Sequence, residues 1–285
     1  MKILIIQENG RNKENRHLFL CHAMSYWLNV AGAETICWGP GHESYKSKFD
    51  DIVKKYDIIL SMENYDTGWH PDLSVYKDKY KIFWSIDSHC VLREHIKLCK
   101  DNKINMHLNS TENYLNKFEF CEKLIWFPNA VDTRYYKKQN LTRDIDLGFC
   151  GSIISNRKQW LDYISRYFPV SVDRVIGDEM IKTINRYKVS LNKTIADDIN
   201  YRIFENMACG TPVITNYVPS LEKLFNLDQD FLVYSNIKDL IGSINILLKD
   251  DALRNTIAES GYKTVLKNHT FEKRCQSLYE ELKVI

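Results

Sequence analysis

YRIFENMACGTPVIT, Tyr201 through Thr215, is the stretch on which the fold turns. Ile203, Phe204, Met207 and Ala208 recur at helical spacing, whereas Arg202, Glu205 and Asn206 share another face, three and four residues apart. One face is core and the other is open to chemistry. Gly210 suits the left-handed position just past a helix end, and Pro212 is unable to prolong the helix, so Val213-Ile214-Thr215 turns directly into a buried strand. A helix, a tight stop and a strand make one step of an α/β fold.

Outward from that stretch the same rhythm repeats. Ile3 to Ile6 is a continuous apolar run, followed by a helical stripe of Leu20, Ala23, Met24, Trp27, Leu28 and Ala31 with Gly32 at its end. Further apolar runs at Thr35 to Trp38, Ile58 to Leu60, Ile82 to Trp84, Met106 to Leu108 and Leu124 to Phe127 complete a first parallel sheet. Ligands bind beyond the carboxyl ends of such strands, so the loops Gln7 to Arg16, Ser61 to Trp69 and Ser85 to His89 carry the candidates. Asn9, Gly10 and His17 are candidates on this side, although His17 reads first as a surface or helix-packing residue. Asp87 and His89 offer a carboxylate and an imidazole for proton transfer, or Asp87 and Ser88 merely cap the next helix.

Pro128-Asn129-Ala130-Val131-Asp132 and the polar Thr133 to Arg143 mark a domain boundary. Ile145 to Ser152 then reads as a strand turning through glycine into a helix that begins at Arg157 and Lys158. Gly151 and Ser152 allow close backbone approach, and Arg157 or Lys158 is placed to neutralise a diphosphate. Neither GxGxxG nor GxxxxGK[ST] is present, which excludes the dinucleotide fingerprint and the P-loop. Val170 to Ile176 is expected as a strand, Met180 to Tyr187 as a helix and Val189 to Leu191 as a strand. Asn192 to Ile199 is then a loop into the opening helix, with Asp197 or Asp198 as its cap.

The wording around Glu205 closely resembles the donor-binding helix of GT-B glycosyltransferases, in particular their CgeB-like branch. Glu205 matches the second glutamate of the Glu-x7-Glu motif of many retaining members, and Asp197 stands where the first would be. Asn200 replaces a glycine common in that family. Pro128 to Asp132 is similar to the Pro-Asn-x-Val-Asp that closes the first GT-B domain, Phe149 to Arg157 to the family's diphosphate loop, and His269-Thr270 with Arg274 to a motif near the end of CgeB-like chains. The resemblance implies two Rossmann-like domains facing across a cleft. These are an acceptor-side domain over 1–130, a nucleotide-sugar donor domain over 144–268, and a last helix over 269–285 packing back on the first domain. It implies Gly151, Ser152, Arg157, Lys158, Arg202 and Glu205 on the donor, with Asp197 as a catalytic candidate beside Asp87 and His89 from the first sheet. The implied activity is glycosyl transfer from a nucleotide-diphosphate sugar, retaining and metal-independent, with no other cofactor. A sugar-nucleotide epimerase and a non-catalytic nucleotide-binding module remain alternatives, and an inverting enzyme would draw on Asp87 as base.

Composition narrows the partners. The 285 residues suffice for two cored domains, and 39 basic against 37 acidic side chains leave a charge of +2, which excludes strong general attraction to nucleic acid or anionic membrane. Eight cysteines without a CxxC read as reduced, which points to the cytoplasm. No apolar run approaches a membrane span, and Ile3 to Ile6 is too short for a signal-peptide core. His89, Cys90, His95 and Cys99 crowd one helix-like segment but fit no zinc spacing. The acceptor stays open among a saccharide, a protein, a small molecule and a modified nucleic-acid base.

Overall fold

The structure, a computed structural model, describes residues 1–285. Two compact units, Met1–Pro128 with Phe271–Ile285 and Asn129–Thr270, are each built on one parallel sheet.

The first unit runs β1 (Lys2–Ile6), α1 (Leu20–Val30), β2 (Glu34–Trp38), α2 (Phe49–Val53), β3 (Ile58–Met62), β4 (Tyr80–Ser85), α3 (Ser88–Asp101), β5 (Met106–Asn109) and β6 (Lys123–Trp126). Its strands lie in the order β2-β1-β3-β4-β5-β6. Helices cover both faces, so interior strands are enclosed on both sides and appear as apolar runs, as in Ile3 to Ile6 and Ile58 to Leu60. The order reverses between β1 and β3, which makes the crevice beyond their carboxyl ends the natural ligand position of this sheet. Helix α3 is broken at Val91 (φ −133°, ψ 32°), so Ser88 to Cys90 form a separate turn ahead of the regular helix.

The second unit runs β7 (Ile145–Cys150), α4 (Arg157–Ile164), β8 (Ser171–Asp173), α5 (Gly177–Arg186), β9 (Tyr187–Leu191), α6 (Tyr201–Ala208), β10 (Val213–Asn216), α7 (Leu221–Leu224), β11 (Leu232–Tyr234), α8 (Ile237–Lys249) and α9 (Asp251–Asn268). The order β11-β10-β9-β7-β8 reverses between β7 and β9. Helix α6 buries Ile203, Phe204 and Met207. Each contributes about 1.5–3 kcal/mol as an upper estimate. It stops in a Schellman turn: Gly210 takes φ +66°, its N–H donates to Met207 O (2.9 Å), and Thr211 N–H donates to Asn206 O (3.0 Å). Arg143 reinforces the stop by donating to Cys209 O (3.1 Å) and Gly210 O (2.8 Å), a cation on the negative end of the helix. The polar Thr133 to Arg143 is therefore anchored to this unit rather than hanging free. Strand β8 is shorter than expected because it is an edge paired only with β7. Tyr187 starts β9 instead of ending a helix. Its ring lies over Gly148, where an added Cβ would come within 2.2 Å, and its hydroxyl donates to Asp173 (2.7 Å).

After α9 the chain rejoins the first unit as α10 (Phe271–Leu282). Cys275, Leu278 and Leu282 are buried, and Cys275 Sγ lies 3.7 Å from Met24 Sδ of α1. Arg274 Nε donates to Pro128 O (3.0 Å). No helix is long and apolar enough to cross a membrane.

Candidate functional site

In the second unit the loops after β7 and β9 flank the point where strand order reverses. Gly151 follows β7 with φ +143°, a backbone that L side chains rarely adopt, and a Cβ there would sit 2.2 Å from Arg202 Nη2. The glycine is needed because Arg202 lies against it. Arg202 Nε donates to Cys150 O (2.7 Å), its Nη1 donates to Asn192 Oδ1 (2.7 Å), and the guanidinium stands 4.5 Å from the Phe149 ring centroid. Arg157, buried at the start of α4, donates to Lys193 O (2.9 Å) and Ser152 O (3.1 Å) and so laces the two loops together.

Three cations crowd this spot. Burial and then the Arg157 charge bring Arg202 down to about 10, and the same two causes lower Lys193. Burial also lowers Arg157, with Asp198 acting in the opposite sense. Lys193 was not apparent in the sequence, where it is one lysine in a loop. Lys158, expected beside Arg157, instead lies exposed on α4 and pairs with Asp162 (2.7 Å).

Glu205 is half-buried one turn along α6 from Arg202. Burial raises its pKa, while a hydrogen bond from the buried Tyr136 hydroxyl and the Arg202 charge pull it back. Tyr136 comes from the polar stretch before β7 and carries no motif. Asp197 is exposed, and neither it nor Asp198 caps α6. Asn200 occupies the N-cap position without a side-chain cap bond, as Asn156 does ahead of α4. Asn200 is itself extended (φ −74°, ψ 162°), so the N-cap position falls to it and not to either aspartate.

In the first unit a residue that the sequence did not single out takes the centre. Glu63, directly after β3, accepts from Ile86 N (2.7 Å) and Asp87 N (2.8 Å) and lies 3.6 Å from His95 Nε2. Burial, then the Asp87 charge, raises Glu63 to about 7. Asp87 is also raised by burial, with His89 opposing. Glu63 thus holds the backbone just ahead of α3, at Ile86 and the N-cap residue Asp87, rather than capping the helix itself. Asp87 makes no side-chain cap bond, and Ser88 Oγ accepts from Asn109 instead (2.9 Å). His89 Nδ1 is enclosed without a hydrogen-bond partner. His95 turns inward to Ser85 Oγ (2.7 Å), Cys99 Sγ faces His107 (3.7 Å) and Cys90 is exposed.

The acceptor-side candidates separate. Asn9 donates to Gly41 O (3.0 Å) and accepts from His22 Nε2 (2.7 Å), so its amide is engaged in holding two loops. Gly10 packs on the Phe19 ring and its carbonyl accepts from Arg16 (3.1 Å). His17 is half-buried in a short 3-10 turn.

The glycosyl transferase-like family model matches residues 138–280. Among solved structures, a sucrose-phosphate synthase (tll1590) from Thermosynechococcus elongatus superposes with a TM-score of 0.70 at 13% identity over 99% of each chain. Anabaena Alr3699/HepE in complex with UDP-glucose gives 0.69 at 13% identity over 100% of each. An alpha-glucosyltransferase in complex with UDP and a 13-mer DNA containing a central A:G mismatch gives 0.66 at 12% identity over 100% of each. No curated protein matches the chain by sequence. At such identities the likeness shows the fold, which is GT-B.

Proposed function

The chain belongs to the glycosyl transferase-like family, and from that premise we propose that this glycosyltransferase takes its sugar from a nucleotide-diphosphate donor held on the second unit. The observation that carries the reading is the crowding of Arg157, Lys193 and Arg202 around Gly151 at the switch between β7 and β9. The Arg157 charge that lowers Arg202 and Lys193 is relieved by an anion, and charge develops on a departing diphosphate in the transition state. The uncapped starts of α4 and α6 add amides of the same polarity. Glu205, steadied by Tyr136, takes the ribose hydroxyls. UDP is the first nucleotide to test because HepE and the alpha-glucosyltransferase carry it.

The finer assignment follows the motif likeness: a CgeB-like, retaining enzyme with Asp197-x7-Glu205 in place of Glu-x7-Glu, and cations rather than a metal on the leaving group. On the acceptor side, Glu63, raised to about 7 by burial and then the Asp87 charge, is suited to take the acceptor hydroxyl's proton, with Asp87 and His89 beside it. None of the eight cysteines is in a disulfide, which favours a reducing compartment. The acceptor candidates remain a saccharide, a protein, a small molecule and a modified base.

The test is incubation with UDP-glucose and other nucleotide sugars, with a chelator present, following free nucleotide and the anomeric configuration of the product by NMR. Release of UDP with retention is expected. An altered donor sugar without nucleotide release would establish an epimerase, and nucleotide binding without turnover would establish a binding module.

A further inference from the structure

We propose that Cys21, His22, Cys37 and His42 form a binding site for a zinc-class divalent cation in the first unit, independent of the donor site. Ligand atoms of Cys21, His22 and Cys37 all lie within 4.8 Å of one another. His42 Nε2 stands 3.7 Å from Cys21 Sγ, and its ring centroid is 5.4 Å from that of His22. Zn–S and Zn–N bonds of about 2.3 and 2.0–2.1 Å at tetrahedral angles require S···N edges of about 3.6 Å and S···S edges of about 3.8 Å. The edges among Cys21, His22 and Cys37, and the Cys21–His42 edge, therefore need movements of about 1 Å or less, while His42 lies outside the group within 4.8 Å and must swing toward it to complete the set. Two thiolates and two neutral imidazoles make a neutral site, and each thiol gives up its proton to solvent as it binds.

The fold brings these ligands together from three places. Cys21 and His22 open α1, Cys37 is the fourth residue of β2, and His42 follows the Gly39-Pro40-Gly41 turn. Strand β2 runs parallel beside β1 with Cys37 opposite Ile5, so the first turn of α1 lies over it. Cys37 Sγ donates to Cys21 O (3.4 Å). His22 Nε2 is held by Asn9 Oδ1 (2.7 Å), the kind of support that fixes a ligating imidazole in orientation. The spacing Cys-His-x14-Cys-x4-His matches no familiar zinc motif, because the ligands come from a helix start, a strand and a turn. An ion here would tie the loop after β1 to the loop after β2 through Asn9.

The experiment is a Co2+ titration of the full chain, reduced and stripped with a chelator. One equivalent should bind with a thiolate-to-cobalt charge-transfer band and tetrahedral d–d bands, and Zn2+ should displace it. Cys37→Ser should weaken binding at least about a hundredfold, and Asn9→Ala by about ten- to a hundredfold. Cys90→Ser, an exposed cysteine elsewhere, should change nothing. If Cys37→Ser does not fold, His42→Gln takes its place, with the same loss expected. Absence of charge transfer in the wild type, or a spectrum that survives Cys37→Ser or His42→Gln, overturns the site.

Discussion

Glu205→Gln separates a ribose-binding carboxylate from a helix residue of purely structural use, because the two properties it changes should move in opposite directions. Tyr136 occupies part of the Glu205 acceptor capacity, and an ionised carboxylate retains enough lone pairs for two ribose hydroxyls. Neutralisation converts two charge-assisted bonds, about 1.5–3 kcal/mol each, into neutral ones of about 0.5–1.5. UDP affinity should therefore fall by about 2–3 kcal/mol, roughly 30- to 150-fold, and further for Glu205→Ala. Burial raises the Glu205 pKa above its unfolded value, so the folded state loses stability as pH rises through that folded pKa. Glu205→Gln removes this loss, so the weaker binder should melt at a higher temperature at pH 8. The 2′-deoxy nucleotide should bind the wild type poorly and respond little to the mutation, since the shared contact is already gone. Isothermal titration with both nucleotides and a melting curve decide it. A variant with unchanged affinity, or with fully additive losses, would remove Glu205 from the ribose.

Other perturbations follow from the same geometry. Gly151→Ala combines a strained φ, about 1–3 kcal/mol, with displacement of Arg202, so nucleoside diphosphate binding should fall at least tenfold in titration. Lys158→Ala should change it by less than about 0.5 kcal/mol, since that lysine is exposed and paired along its own helix; a large loss would contradict the placement of the three cations. Glu63 is raised to about 7, so the wild type should lose stability between about pH 4.5 and 7, and Glu63→Gln should recover about 3 kcal/mol above pH 7 in denaturant melts, with no gain near pH 4. His42 and His95 lie at about 4 and His107 at about 3, below the unfolded 6.5. Protons taken up only by the unfolded chain should thus lower the melting temperature steadily from about pH 6.5 to 4, and a flat acid limb would count against their neutral burial.

The α/β character, the parallel sheets and the helix-stop-strand unit at Tyr201 to Thr215 were legible in the sequence, because enclosed strands and amphipathic helices write their periodicity into neighbouring residues. The loop that carries Gly151 and the helix that carries Arg202 and Glu205 were also legible as local elements, since local wording suffices to place them. What lay beyond reach depends on residues that meet only through the order of strands. Lys193 joins Arg157 because β9 lies beside β7, and Glu63 faces Asp87 because β3 lies beside β4. Tyr136 reaches Glu205 across 69 positions of sequence, and Cys37 reaches Cys21 because β2 returns beside β1. Side-chain direction decided the rest. Arg157 and Lys158 are adjacent in sequence, yet successive helical residues point about 100° apart, so one turns into the loops and the other into solvent. Local composition sets which elements form. Which charges share a site is set by strand order and helix phase, which no short stretch of sequence contains.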